Sequence, residues 1–175
     1  MIWFLCRFIN MKKIFLSIVL LFALQSIFSQ ASVSYYKGEW TMLNRNDLFT
    51  GIFKVDIDLQ GKATVEIIWT YLATDSTNKN LLEMYKGKKG RSGVEYAEGF
   101  FSATTNDLNF EGKKADDPFF ILGLDKYHLK LAANKQFIYG STETQGTNEG
   151  LLYAVKLASA AGKKEFMAAK ARIKK

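Results

Sequence analysis

Short runs of alternating apolar and polar residues, separated by glycine or Asn/Asp turns, constrain the fold of this chain more than any other feature. Residues 53–59 are the clearest case, with apolar odd positions and charged even positions. Successive side chains of a strand point to opposite faces, so this run buries one face and exposes the other. The alternation resumes in residues 63–71 after Gly61, which predicts a β-hairpin.

Similar runs continue along the chain and set the fold class. They cover residues 94–101 and 107–112, residues 127–131 and 137–142, and the two flanking segments 36–43 and 150–157. About eight strands are what a small up-and-down barrel requires. We therefore predict an all-β fold over residues 31–157, an antiparallel meander of about eight strands that closes into a small barrel.

Glycines inside the runs favour this barrel over a two-sheet sandwich, which is the alternative. Glycine within a strand typically marks a bend or a bulge, as tightly coiled strands need. The glycines concerned are Gly51, Gly99, Gly112, Gly123 and Gly140.

The first thirty residues have the pattern of a signal peptide with an upstream extension. Met11, Lys12 and Lys13 form a basic start, residues 14–24 are almost wholly apolar, and residues 25–31 are small and polar. This pattern predicts cleavage near residues 29–31 and a secreted or periplasmic protein without a stable membrane anchor. An uncleaved N-terminal anchor is the alternative. Cys6 is the only cysteine and lies upstream of the signal, so a mature chain would form no disulfide and have no thiolate chemistry.

The net charge of +7 is concentrated at the C-terminal end. Seven Lys and Arg lie between Lys156 and Lys175 with one acid, Glu165, whereas residues 31–155 contain 14 bases and 16 acids. A nearly neutral body lacks the basic surface typical of nucleic-acid binding, so no nucleic-acid partner is expected. Residues 158–175 are rich in helix formers and poor in large apolar residues, which predicts a basic tail that forms a solvated helix.

The layout resembles the small meander barrels of the calycin group, the lipocalins and avidins. The resemblance rests on Gly38-Glu39-Trp40 in the opening strand, the consecutive hairpins, and Gly140-Ser141-Thr142 before the closing strand. It implies the barrel but no particular ligand, because lipocalin disulfides and avidin biotin contacts have no counterpart here. The chain is also similar to uncharacterised secreted bacterial proteins with a glycine turn (85–90), an acidic-aromatic strand (95–101) and an Asp-Asp-Pro loop (116–118).

Few residues are candidates for catalysis or metal binding. His128, the only histidine, has the parity of Lys126 and Lys130, which predicts that it faces solvent. Paired carboxylates across a barrel could support glycoside hydrolysis, but acids on alternating strands usually form the solvated face. The acids considered are Glu39, Asp56, Asp58, Glu95 and Glu98.

Two loops offer further ligand chemistry, each with a simpler structural explanation. Asp116 and Asp117, with Asp125, could hold Ca²⁺ through oxygen ligands, but an acid before Pro118 also suits a turn. Residues 86–93 are basic and glycine-rich and could hold a phosphate or a sulfated sugar, although a flexible solvated loop is the simpler interpretation. We predict no metal and no cofactor.

Aromatic residues on the parity assigned to the interior provide the best functional prediction. A barrel lined with Tyr and Trp is either packed through hydrogen bonds of their polar ends or open to a ligand. Phe100 and Tyr153 are on the same assigned parity. The predicted ligand-binding residues are Trp40, Trp69, Tyr71, Tyr96, Tyr127 and Tyr139.

The sequence thus predicts an exported, non-enzymatic barrel that binds a small apolar or aromatic ligand, or a partner. The alternatives are a surface-interaction or structural envelope protein without an internal ligand, and a carboxylate-based hydrolase. No oligomeric state follows from the sequence.

The signal-peptide interpretation predicts export with cleavage. The intact mass of protein from the native host should correspond to a chain that begins between residues 29 and 31, and Leu20→Arg should block export because it places a charge in the apolar segment. An exported species that retains residues 11–22 would contradict the prediction.

Overall fold

A computed structural model describes residues 32–43, 47–144 and 148–173. The predicted signal peptide and Cys6 lie outside the described residues, so export and cleavage stay predictions.

The chain forms an eight-stranded antiparallel barrel. Every strand pairs with the next one in sequence, and β1 also pairs with β8, which closes the sheet. The predicted all-β meander barrel is confirmed, and the pairing of β1 with β8 excludes the open sandwich. The strands are β1 (Ser32–Met42), β2 (Asp47–Ile57), β3 (Lys62–Ala73), β4 (Ser92–Ser102), β5 (Asp107–Asp116), β6 (Asp125–Leu131), β7 (Phe137–Thr144) and β8 (Asn148–Leu157).

The register of β2 and β3 follows the alternation in the sequence. Phe53 pairs with Ile67 and Val55 pairs with Val65, and all four side chains are buried in the barrel interior. Such buried residues occupy the barrel interior toward the β2–β3 turn, and the rings of Phe110 on β5 and Tyr127 on β6 stack at 4.4 Å.

The glycines within the predicted runs have different roles. Gly112 lies beside an irregularity in the β4–β5 pairing, where Tyr96 pairs with Lys114 and Ala97 with Gly112, as the bulge interpretation predicts. Gly123 lies in the β5–β6 loop and not in a strand, so the prediction that it marks a bend or bulge of a strand is wrong.

The β3–β4 connection carries a short helix, α1 (Lys79–Met84), whose N-terminus is capped by the Asn78 side chain. The basic residues 86–93 follow it, and their backbone is tied to β3: Gly90 N–H donates to Tyr71 O and Tyr71 N–H donates to Arg91 O. These hydrogen bonds hold the backbone of the segment to β3, and its lysine side chains reach the surface as the solvated-loop interpretation predicts.

The C-terminal tail forms helix α2 (Ser159–Ile173), which packs against the outside of the barrel. Phe166 is 2% exposed and lies in a cluster with Tyr35, Ile68 and Val94. The predicted helix is present, but the prediction that it is solvated is wrong. The outward side chains of β1, β3 and β4 are apolar where the helix covers them, so the helix packs against them. Among the described residues, no helix is long and apolar enough to cross a membrane.

Two ion pairs flank this contact on either side of the helix. Lys170 pairs with Glu66 on β3, and Lys37 on β1 pairs with Glu165 at 2.5 Å between Nζ and Oε1. The Lys170 ammonium, through its hydrogen bond and charge, helps hold the pKa of Glu66 below its usual value against the opposing effect of burial.

The helix contact predicts a large difference between two neighbouring residues. Phe166→Ala should lower the free energy of unfolding by about 3 kcal/mol, because it leaves a cavity over Tyr35 and Ile68. Met167, 57% exposed, is the matched control, and Met167→Ala should change stability by less than about 0.5 kcal/mol. Urea denaturation measures both, and equal effects would contradict the helix packing.

Candidate functional site

The barrel contains a half-open cavity of about 220 Å³ at the end where the β3–β4 and β5–β6 connections lie. Its wall is aromatic, two carboxyl groups reach it, and residues 120–123 of the β5–β6 connection close it from above. The aromatic wall consists of Trp40, Phe49, Trp69 and Tyr85, and the acids are Glu95 and Asp125.

The aromatic wall is one connected set of rings from three strands and a loop. Phe49 contacts Trp40 edge-on with 5.3 Å between ring centroids, and Trp69 is 6.3 Å from Trp40. Phe49 also contacts Tyr71 at 5.3 Å, and Tyr71 stacks on Tyr85 at 4.5 Å. Edge-on and offset stacking are the favourable geometries for such pairs, so each ring helps to hold the next in place.

Three interior glycines make room for the large side chains of the site. A Cβ on Gly51 would lie 2.5 Å from the Trp69 ring, and one on Gly150 would lie 2.4 Å from Trp40 Nε1. A Cβ on Gly112 would lie 2.2 Å from Glu95 Oε1. Each glycine therefore faces a bulky or charged side chain of the cavity that a larger residue would displace.

Glu95, on β4, is the most unusual residue of the site because it is a carboxyl group only 1% exposed. Its Oε2 accepts hydrogen bonds from Trp69 Nε1 at 3.0 Å and from the Tyr127 hydroxyl at 2.5 Å. Its Oε1 accepts from the Asp125 backbone N–H at 3.4 Å. Donors from β3 and β6 thus hold the carboxyl group in one position.

Burial raises the pKa of Glu95 to about 7. The hydrogen bond from Tyr127 opposes this rise, whereas the negative charge of Asp125 adds to it. Burial also raises the pKa of the Tyr127 hydroxyl well above its usual value, with Glu95 contributing, so Tyr127 stays a donor at neutral pH. Glu95 can therefore exchange a proton near neutrality, which marks a candidate functional site.

The roof of the cavity is the loop of residues 117–124, which Asp117 organises. Its carboxylate accepts backbone hydrogen bonds from Phe119 at 3.2 Å, Ile121 at 2.6 Å and Leu122 at 2.7 Å. Phe120 lies at the top with a φ of +53° and is 83% exposed while lining the cavity. The turn interpretation of Asp117 therefore accounts for its carboxylate, which binds the loop's own amides.

The predicted ligand-binding residues divide into two groups. Trp40 and Trp69 line the cavity, Tyr71 lies behind its aromatic wall, and the Tyr127 hydroxyl binds Glu95. Tyr96 and Tyr139, however, lie on the outer face, so their assignment to the interior is wrong.

The sequence leaves ambiguous which alternating set of residues on β4 and β7 points into the barrel. On β4 the small residues Gly93 and Ala97 and the acid Glu95 point inward, which turns Tyr96 outward beneath the ammonium group of Lys170. On β7, Ile138 takes the interior position. Two more predicted interior residues, Phe100 and Tyr153, are thus corrected to the outer surface, where they are about half exposed, as Tyr139 is.

Sequence reasoning missed Phe49 and Tyr85, and it considered Glu95 and Asp125 for other chemistry without placing them in this cavity. Glu95 was grouped with the solvated acids, and its burial corrects that interpretation. One signal could have found it: the residues nearest to Glu95 on the same parity of β4, Gly93, Ala97 and Gly99, are all small, which leaves space for a ligand or a cavity.

The other chemical candidates lie outside the cavity. His128 is exposed on β6 with its Nε2 4.0 Å from Glu143, as its parity predicts, and Asp58 accepts backbone hydrogen bonds in the β2–β3 turn. Within the described ranges, no three His, Cys, Asp or Glu side chains converge in a way that could hold a metal ion.

Comparison with known proteins adds no family. The chain matches no known protein-family profile, no curated protein and no solved structure. The eight-stranded closed barrel is compatible with a calycin-like layout, and that compatibility is a statement about fold alone.

The raised pKa of Glu95 predicts that stability falls as the pH rises. The unfolded chain releases this proton near pH 4.5 and the folded chain near pH 7, so the folded state binds more protons between these values. Stability should decline across this window by roughly 3 kcal/mol and then level off. Glu95→Gln should remove most of the decline in melting temperature between pH 5 and pH 8.

Glu98, 57% exposed on the same strand, is the matched control. Glu98→Gln should retain the decline of the original protein. An unchanged pH dependence in Glu95→Gln would show that another group causes it.

Proposed function

We propose that this protein is an exported, non-enzymatic barrel that binds a small apolar or aromatic ligand in the cavity at one end of the barrel. The observation that carries the proposal is the aromatic cavity itself. Binding sites are typically concave and mostly apolar, with a few convergent polar groups that orient the ligand. Here Trp40, Phe49 and Trp69 provide apolar area, and Glu95 provides the polar group.

The size of the cavity limits the ligand. An apolar cavity of about 150 Å³ holds benzene, so 220 Å³ suits a single ring with a short substituent. The roof loop provides a route of entry, because the Phe120 side chain lies at the surface and lines the cavity at the same time. The proposal includes the position of the ligand, which binds at the mouth of the barrel as the calycin-like layout implies.

Two further features support binding rather than catalysis. The only histidine is on the outer face, and the described residues that line the cavity include no serine, threonine or histidine for a hydrolytic triad. Export to the periplasm or the medium, with no nucleic-acid partner and no stable anchor, is proposed on the sequence pattern of the N-terminal segment and the near-neutral body.

A surface interaction is the second candidate function, and one observation favours it. Apolar side chains on the outer face of β7 and β8 are 40–51% exposed and adjacent: Tyr139, Leu151, Tyr153 and Val155. Such a patch suits contact with another molecule. This alternative needs no internal ligand.

Carboxylate catalysis is the third candidate, because Glu95 has a pKa near 7 beside Asp125. That pKa suits a general acid or base. Glu95 accepts hydrogen bonds from Trp69, Tyr127 and the Asp125 backbone, which hold its carboxyl group in place, and this arrangement also suits simple binding.

The binding proposal predicts a response to small aromatic compounds. Toluene, phenol or indole should change the fluorescence of Trp40 and Trp69 in a saturable manner, and a ligand at 100 times its Kd should stabilise the fold by about 2.7 kcal/mol. Phe120→Ala should weaken binding, because Phe120 lines the cavity.

Phe100→Ala is the matched control, because Phe100 is an exposed phenylalanine on the outer face of β4. Its removal should leave affinity unchanged. If no compound alters either the fluorescence or the melting temperature, binding in the cavity is refuted and the outer patch on β7 and β8 becomes the leading candidate.

A further inference from the structure

Large apolar side chains are exposed at the mouth of the barrel, the end where the β3–β4 and β5–β6 connections lie. Phe120, in the roof loop, is 83% exposed, the highest value among the large apolar residues described. Met84, at the end of α1, is also exposed, and both side chains line the cavity. Leu82 on α1 and Leu124 in the roof loop are exposed as well. Single exposed apolar residues are ordinary, but four at one end of a molecule indicate a contact surface.

The roof loop holds Phe120 at the surface by its backbone. The Asp117 carboxylate accepts hydrogen bonds from three backbone amides of the loop, and Lys88 Nζ donates to the Phe120 carbonyl at 3.1 Å. Phe120 itself has a φ of +53°, a left-handed conformation that is unfavourable for a residue with a large side chain. Such strain is typical of functional positions, so the exposed ring itself calls for a role.

A basic segment lies beside these apolar side chains. Residues 74–91 contain five bases and two acids, a net charge of +3. Lys88 bonds the Phe120 carbonyl, and the guanidinium carbon of Arg91 lies 4.7 Å from the centre of the Phe119 ring, so the segment and the roof loop are in contact. The bases are Lys79, Lys86, Lys88, Lys89 and Arg91, and the acids are Asp75 and Glu83.

The combination of apolar and basic side chains indicates what this surface contacts. Proteins that bind reversibly to a lipid surface insert apolar side chains at the boundary of headgroups and acyl chains, while Lys and Arg face anionic headgroups. A ring that is 83% exposed on a loop has little lateral contact with its own protein and suits insertion into a fluid surface. The net positive charge of residues 74–91 complements anionic lipid.

We propose that the mouth of the barrel docks on an anionic lipid surface. Phe120, Met84 and Leu82 enter the boundary of headgroups and acyl chains, and Lys86 and Lys89 contact the lipid phosphates. The docking is reversible and differs from a stable anchor, because a few side chains bury far less apolar area than a membrane-spanning helix. The inference goes beyond the proposed function, since docking needs no ligand in the cavity.

Vesicle flotation tests the dependence on lipid charge. The exported protein should bind vesicles of phosphatidylcholine with about 30% phosphatidylglycerol at least about tenfold more tightly than vesicles of phosphatidylcholine alone. Raising the salt concentration from about 0.1 M to about 0.5 M should weaken the binding to the anionic vesicles, because salt screens exposed charges.

A pair of phenylalanine variants tests the apolar contact. Phe120→Ser should weaken binding to the anionic vesicles by about tenfold, because the ring no longer leaves water. Phe100, 57% exposed on the outer face of β4, is the matched control, and Phe100→Ser should leave vesicle binding unchanged. An unchanged melting temperature shows that each variant is folded.

A pair of lysine variants tests the basic segment. Lys86→Gln combined with Lys89→Gln should weaken binding to the anionic vesicles by about tenfold or more. Lys163→Gln combined with Lys164→Gln removes the same charge from exposed positions of α2 and should have little effect. Lys88 is left in place because it holds the roof loop.

All variants share the same residues 1–31, so any lipid binding by the apolar residues 14–24 is equal among them. Equal binding to neutral and anionic vesicles, or equal effects of a variant and its control, would overturn the proposal. A protein that binds neither kind of vesicle would overturn it as well and favour a protein partner for this surface. Binding of aromatic compounds in the cavity is measured without vesicles, so the failure of docking leaves the proposed function standing.

Discussion

The narrow bore of an eight-stranded barrel is the constraint on which the rest of this structure depends. Such a barrel is just wide enough for side chains to fill, so its largest inward residues need small ones near them. Gly51 makes room for the Trp69 ring and Gly150 for Trp40. The glycines thus determine where large side chains fit. The cavity lies where Trp40, Trp69 and Glu95 meet beneath the loop of residues 120–123.

The buried carboxyl group of Glu95 gives the candidate site its polar group at a cost to the stability of the fold. Its burial is unfavourable for the charged form, as the rise of its pKa to about 7 shows, and an apolar residue at this position would avoid that cost. The hydrogen bonds from Trp69 and Tyr127 offset part of the cost and fix the carboxyl group in place. A buried acid that reaches a cavity and holds its proton near neutrality is a candidate functional group.

The outer surface of the barrel has its own pattern of covered and open apolar area. Helix α2 covers Tyr35, Ile68 and Val94 through Phe166, so one side of the barrel has a second apolar layer. Burying these outward side chains follows the same hydrophobic effect that fills the interior. The uncovered patch on β7 and β8 lacks such a layer within the described chain, which is why a surface partner is the second candidate function.

The sequence by itself determined the class of fold, the number of strands and most of the pairing, because alternation with period two and glycine turns are local signals. It also determined the placement of Trp40 and Trp69, whose strands alternate clearly. Only the tertiary structure decided which face of β4 and β7 points inward, since these strands carry apolar residues on both parities. Tyr96 lies outside because α2 covers that face, and Glu95 lies inside because donors on β3 and β6 satisfy its carboxyl group. Those partners are 26 and 32 residues away in sequence, so the burial of this acid depends on contacts that exist only once the barrel has closed.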